Sequence, residues 1–440
     1  MGSMEDEGRG GKREAQGCQL GTYELTSKQM IPNRGLAAED RVHLFAERSF
    51  FSDFVFRTPA YRSGKASREA GDVVVWFDDT LIIVQSKARC VDDSTLLLPF
   101  SERERNWATK NLRRAVRQLL GSKRALMDGR VRTLVNPRRG EIPFVPTDIR
   151  KVFGLVIIDQ AVEPYDPLSL APDIVGADLP IHVFALSEWP LLCSELSTTP
   201  DFISYLEFRS PLLGKRRLLV GQEADLLAFF IIRERNPKVA FDEIPEVDGL
   251  GHWFAENMRA ELAARNVEDR WSYLIDDIID RLHDVDEPAT VVPSAPRIRQ
   301  PDEYATVAVE LSKLDRMSRR ILGRKLGERI ELAAKENRER YSAAKVNDTG
   351  FLFLASPYPR PERSKNLAAL TALSKHNLKV HTAVGVATEA SIGRGRSYDT
   401  VWLSYPWGTD PEADSLSATS FASPSVLSDT EFSGAVEIPV

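Results

Sequence analysis

No stretch of this chain stays apolar for the roughly 18 residues that a bilayer crossing needs, so a membrane span is not expected. Cysteine is scarce. Cys18, Cys90 and Cys193 are three among 440 residues, odd in number and far apart. That argues against a disulfide scaffold and for a reducing cytoplasm. The six histidines form no HxxxH pair and the cysteines no CxxC pair, so a structural zinc site is not expected. A Walker-type GxxxxGK[ST] and a GxGxxG after a strand are also missing, which disfavours an NTPase or a Rossmann enzyme. The first residues, MGSMEDEGRGGKREAQG, are polar and lack the apolar core of a signal peptide.

What is present reads as a soluble globular chain of two or three domains, 42% hydrophobic and 28% charged. The net charge of −6 conceals an uneven distribution. Residues 101–140 carry twelve basic side chains against three acidic ones, and residues 241–290 fourteen acidic against four basic. A basic patch in an acidic chain is either a local footprint for phosphate or a solvated helix face.

Apolar spacing predicts a helix over Leu36–Ser49, a strand over Asp53–Tyr61, and basic loop residues Arg62, Lys65 and Arg68. Two further strands, Gly71–Asp78 and Thr80–Arg89, come next. A basic amphipathic helix over Asn106–Met127 follows, then strands over Val152–Asp159 and Ile181–Leu186. This order predicts an α/β fold with a mixed sheet. Beyond residue 210 the spacing turns helical, over Glu223–Ile232, His252–Asn266 and Trp271–Val285. A Pro-rich linker (Glu287–Pro301) leads to a long charged helix over Asp302–Lys345. A small C-terminal α/β unit follows. The expected partition is a disordered segment 1–21, an α/β domain 22–209, a helical region 210–290, a long helix plus α/β unit 291–409, and a disordered acidic Ser-rich tail 410–440.

The segment DDTLIIVQSKAR, Asp78–Arg89, is an apolar strand that ends in Gln85, Ser86 and Lys87. With Asp78 and Asp79 as a two-residue turn, Phe77 pairs with Thr80, Val75 with Ile82, and Asp72 with Gln85. Lys87, two residues on, shares that face. Polar groups on a sheet buried on both sides need partners. An Asp72–Lys87 ion pair is one answer, and a ligand is another.

Asp72 in AGDVVVW followed by Gln85-Ser86-Lys87 in IIVQSKA resembles the PD-(D/E)xK nuclease superfamily in its QxK variant. The resemblance covers about residues 30–160 and extends at most to Arg209. It implies a restriction-endonuclease-like αβββαβ core whose first helix supplies a glutamate, here Glu39 or Glu47. Glu39 is preferred, because it flanks the apolar stripe of Ala38, Val42, Phe45 and Ala46. The resemblance implies Mg²⁺ (or Mn²⁺) held by Asp72, Gln85, the Ser86 carbonyl and Glu39, with Lys87 serving the attacking water or the transition state. Gln85 departs from the commoner acidic residue and removes one negative charge. The implied activity is phosphodiester hydrolysis in DNA, with RNA left open, in a setting such as prokaryotic defence. Arg89, Lys110, Arg113, Arg114, Arg117 and Lys123 are the candidate phosphate contacts. The alternatives are a catalytically inactive relative that binds nucleic acid, and an unrelated α/β protein in which Glu39 lies far from Asp72. The helical region is a candidate oligomerisation element.

Overall fold

The computed structural model describes residues 34–57, 60–63, 66–88, 100–159, 164–174, 177–215, 217–235, 249–282, 301–391, 396–420 and 425–426. The predicted segment 1–21, linker residues 287–300 and tail residues 427–440 lie outside them.

Helix α1 (Arg34–Phe50) turns Ala38, Val42, Ala46 and Phe50 inward, one every four residues, as a one-faced helix requires. Strand β1 (Val55–Arg57) follows, then a separate two-stranded ribbon of β2 (Ala60–Ser63) and β3 (Ala66–Glu69). The single strand predicted over Asp53–Tyr61 is thus divided between two sheets. Pro59, between the two parts, has no amide hydrogen for a ladder. Arg62 and Arg68 belong to the ribbon strands and not to a loop, and Lys65 lies outside the described residues.

Next come β4 (Val73–Phe77), β5 (Thr80–Lys87), α2 (Phe100–Met127), a hairpin of β6 (Thr133–Asn136) and β7 (Gly140–Pro143), β8 (Lys151–Ile158), α3 (Pro167–Leu170) and β9 (Ile181–Ala185). The main sheet runs in the order β1-β4-β5-β8-β9. Its first three strands are antiparallel, and β5, β8 and β9 are parallel. The expected mixed sheet is present. Alternation along the strands divides two apolar clusters between its faces. Val73, Val75, Ile82, Val84, Leu155 and Ile157 pack with Val42, Ala46 and Phe50 of α1. Val74, Leu81, Ile83, Val156 and Ile158 pack with Leu112, Val116 and Leu119 of α2. With both faces covered, a polar side chain on β4 or β5 has room only at a strand end.

The hairpin β6–β7 was absent from the sequence reading. Its alternation is carried by single buried residues, Leu134 and Ile142, too few to register as a pattern. Asn136 Oδ1 accepts from the Arg138 (2.9 Å) and Arg139 (3.1 Å) amides in its turn, and Nδ2 docks the hairpin by donating to the carbonyls of Ser52 (2.6 Å) and Val55 (3.0 Å). The turn end of the β4–β5 hairpin is also held. The Asp79 carbonyl accepts from the amides of Arg150 (2.8 Å) and Lys151 (3.1 Å), and Lys313 lies 3.4 Å from Asp78.

Helices α4 (Trp189–Glu195), α5 (Thr199–Arg209), α6 (Glu223–Arg235), α7 (Leu250–Asn257), α8 (Arg259–Arg281), α9 (Pro301–Ser312) and α10 (Arg316–Glu336) lead to a second sheet. The helices predicted over His252–Asn266 and Trp271–Val285 are cut elsewhere: the break is at Met258, and Arg259–Arg281 is one helix. The helix predicted over Asp302–Lys345 is interrupted. Asp315 caps α10 by accepting from the Ser318 amide (2.7 Å), and Asn337, with φ 50°, ends it in the left-handed region.

After that end the chain forms β10 (Arg340–Val346) and β11 (Thr349–Ser356), then α11 (Arg360–Asn377), β12 (Thr382–Glu389), β13 (Tyr398–Ser404), α12 (Pro411–Ser420) and β14 (Ser425–Val426). The sheet order is β13-β12-β11-β10-β14. Residues 411–420, read from composition as the start of a disordered tail, form a helix that His376 Nε2 meets at Asp414, 2.7 Å away. No described helix is long and apolar enough to cross a membrane.

One apolar cluster runs without a break from Val42 of α1 through Ile275, Leu311 and Leu326 to Val386 of β12. Its middle depends on a close crossing of α8 and α10. A Cβ on Gly323 would stand 1.9 Å from the Trp271 carbonyl oxygen, and one on Gly327 would stand 2.2 Å from the Trp271 ring. Backbone cannot yield as a ring can. Gly323→Ala is therefore expected to cost more stability than Gly327→Ala, the latter about 1–3 kcal/mol. Thermal unfolding of the two variants checks the order; equal or negligible losses would show that the helices separate freely.

Candidate active site

Three residues before β5 ends, the β4–β5 ladder has its last pair, Val73 with Val84. The predicted pairs Phe77–Thr80 and Val75–Ile82 are present. The predicted Asp72–Gln85 pair is not part of the ladder. Gly71 has φ 144°, and a Cβ there would lie 3.2 Å from both Ile83 Cγ2 and the Val73 carbonyl oxygen. Only glycine fits that bend comfortably. The bend sends the Asp72 amide to the Val84 carbonyl (3.0 Å) and carries the Asp72 carboxylate across to the Ser86 amide, which donates to Oδ2 at 2.6 Å.

By alternation, Gln85 and Lys87 lie on the α2 side of β5 and Ser86 on the α1 side. Gln85 and Ser86 are buried. Lys87 Nζ donates to the Ser86 carbonyl (2.7 Å) and to Gln85 Oε1 (3.1 Å), and lies 3.9 Å from Asp72 Oδ2. At that distance the Asp72–Lys87 pair is at the edge of contact. The closest partner of the carboxylate is the backbone amide.

The charges here are under tension. Burial raises the Asp72 pKa, against the opposing pull of Lys87 and the Ser86 amide. Burial lowers the Lys87 pKa, helped by Arg114 of α2 and opposed by Asp72, Glu39 and Glu69. For both partners desolvation outweighs pairing. Burial also raises the Glu39 pKa, with the negative charges of Asp72 and Glu69 acting in the same sense and Lys87 and Arg57 against it. Glu39 is thus an electrostatic neighbour of Asp72 and Lys87, reaching the sheet end from α1. The alternative glutamate, Glu47, is engaged within its helix by His43 at 3.7 Å.

Glu69, at the end of β3, was not singled out from the sequence. Its only signal was its place three residues before Asp72, and an inserted ribbon hides that. On the α1 side Arg57 is paired with Asp40.

Of the candidate phosphate contacts, Lys110, Arg113, Arg114 and Arg117 are exposed on α2, opposite the buried Ala108, Leu112, Ala115, Val116 and Leu119. Arg113 Nε donates to the Leu170 carbonyl (2.9 Å), and Lys123 Nζ pairs with Asp178 Oδ2 (2.9 Å). Those two cations fasten α2 to the segment before β9. Arg89 lies outside the described residues.

Among the described residues no three His, Cys, Asp or Glu side chains converge in a metal-holding group. Mg²⁺ asks for less: hard oxygens, one or two of them carboxylate, with water completing the shell. The donors gathered here are the Asp72 carboxylate, Gln85 Oε1 and the Ser86 carbonyl, with the Glu39 carboxylate nearby. The first three already surround the ammonium of Lys87. Oxygens arranged about one cationic group fit the requirements of a hard cation. Comparison with family models, with curated proteins and with solved structures finds no match.

The raised pKa gives Glu39 a definite stability signature. Its folded-state value lies above the ordinary 4.5, so the folded chain holds the proton more tightly than the unfolded one. Its stabilising contribution is fully present below the unfolded value and is lost as pH rises through the folded value. Glu39→Gln is expected to match or exceed the wild type in Tm at pH 7, by no more than about 2 °C, with the advantage fading towards pH 4. Melting curves across that range decide it. A clear loss at pH 7 would mean that the carboxylate is instead held by a favourable partner.

Proposed function

We propose that this chain is a Mg²⁺- or Mn²⁺-dependent nuclease of the PD-(D/E)xK type that hydrolyses phosphodiester bonds in DNA. The observation that carries the reading is the convergence of Asp72, Gln85, Ser86 and Lys87 at one end of a double-covered sheet, with Glu39 in electrostatic contact. The sequence of elements supports it: α1, then β1, β4 and β5 antiparallel, then α2, then β8 parallel to β5. In this reading that order is an αβββαβ core with the β2–β3 ribbon and the β6–β7 hairpin inserted.

In this reading Asp72, Gln85 Oε1, the Ser86 carbonyl and Glu39 hold the cation. When bound, the cation supplies Lewis-acid polarisation of the phosphate oxygens. Lys87 does the protein's own share. Its ammonium, held in this structure by Gln85 Oε1 and the Ser86 carbonyl, would yield those oxygens to the cation and, still beside the carboxylates, would orient the attacking water and neutralise charge growing on the phosphoryl oxygens. Partial burial of Lys87 and Asp72 strengthens each of these interactions relative to bulk water. The Asp72 carboxylate is aimed by the Ser86 amide, which donates to Oδ2.

A second reading, a protein that keeps this fold and binds nucleic acid without cutting it, draws on two observations. Gln85 brings no charge, and its oxygen is already satisfied by Lys87. Incubation of supercoiled and linear plasmid with Mg²⁺ or Mn²⁺ separates the two. Wild type is expected to cut, and Asp72→Ala and Lys87→Ala each to lose about 10²–10³-fold or more in rate. An inert wild type that still retains DNA on a gel supports the second reading. Variants that cut like wild type would place the chemistry elsewhere.

A further inference from the structure

The candidate site is flanked by cations on two sides, and the two sides are not equivalent. On the α1 side Arg57, the cation that acts on Glu39, pairs with Asp40. On the α2 side Arg113 and Lys123 are spent on the Leu170 carbonyl and on Asp178. Lys110, Arg114 and Arg117 are different. They are exposed, and among the described residues they make no hydrogen bond or ion pair. At i, i+4 and i+7 they form one row, about 10 Å long, on the solvent side of the helix.

Packing fixes where that row stands relative to the site. Gly154 of β8 leaves room for α2: a Cβ there would meet Leu119 Cδ1 at 3.1 Å. Gly154 pairs with Ile83 of β5. The helix links the end of β5 to the start of the parallel strand β8, so it runs back against them. Five residues towards its N-terminus, about 7.5 Å, Arg114 is level with the strand some two residues past Ile83, at about 3.3 Å each. That level is Gln85, two residues before Lys87. The action of Arg114 on the Lys87 charge agrees with this placement. Lys110 is then level with Lys87 at the end of β5, and Arg117 lies back along the sheet.

Resting on the nuclease reading, we infer that the sugar-phosphate backbone of DNA runs along α2, with Arg114 on the phosphate beside the reacting one and Lys110 and Arg117 on flanking phosphates. Phosphate contacts of this kind set register and carry no sequence information. The row therefore provides grip and alignment at any sequence.

The test uses the full chain carrying Asp72→Ala and a 20-base-pair duplex, with affinity followed by fluorescence anisotropy from about 50 to 200 mM KCl. Adding Lys110→Ala, Arg114→Ala or Arg117→Ala is expected to weaken binding about tenfold each, the order of one hydrogen bond to a charged group. Each should also reduce the steepness of log K against log salt by about 0.9. Arg150→Ala, an exposed cation just before β8 at the opposite end of the sheet, should change neither. Three row variants that bind with wild-type affinity and slope overturn the proposal, as does loss equal to theirs in Arg150→Ala or absence of duplex binding at low salt. Cleavage assays keep the two claims apart. If wild type cuts and the row variants bind and cut normally, the nuclease reading stands and the track is wrong. If the row variants lose binding while wild type never cuts, the track stands and hydrolysis falls.

Discussion

The Ser86 amide donates to Asp72 Oδ2 across the end of the β4–β5 hairpin, 2.6 Å away, and most of the candidate site depends on that bond. It exists because the ladder stops one residue early. Gly71 bends, the Asp72 amide turns to Val84, and the freed carboxylate takes the next amide of the opposite strand. A carboxylate held by backbone cannot follow a mobile lysine. The lysine comes to it instead, stopping at 3.9 Å with its hydrogen bonds given to Gln85 and Ser86. The outcome is a cluster in which neither partner recovers its solvation. Protons are held too tightly on the acids and too loosely on the base. Such frustration is a mark of sites arranged for a third participant.

The parts of the fold that could be read from the sequence were those with strong periodicity and short range. The Val/Ile-rich runs of β4, β5 and β8 and the four-residue spacing of α1 declare themselves. So does the two-residue turn at Asp78–Asp79, whose register holds as far as Val73–Val84. The site's chain order followed from that register. The bend at Asp72 did not, since it depends on a φ of 144° that one glycine in a row of small residues does not announce. Glu69 was hidden for a related reason: it ends an inserted ribbon, and insertions have no pattern of their own.

The errors cluster where tertiary contact overrides local preference. Residues 302–345 are rich in helix formers throughout, yet the last of them pair as a strand because Leu352 and Leu354 of β11 offer a partner. Composition also misled at residue 410, where α12 forms and meets α11 through the polar contact of His376 with Asp414. The basic helix was legible as a helix and as basic. Which of its cations are already taken was not, because Leu170 and Asp178 are distant in sequence.

The apolar cluster that starts at Val42 and closes at Val386 has a bearing on how the chain is made. On the ribosome the main sheet is complete once Ala185 has emerged, but Lys313 and Arg319, which meet Asp78 and Phe51, are still about 130 residues away. At synthesis rates of 5–20 residues per second that gap lasts on the order of 6–26 s. During it a nascent chain shows a sticky, unfinished surface. A gene truncated after the first sheet would leave it in that condition permanently, so the site-bearing part is poorly suited to life as an independent fragment.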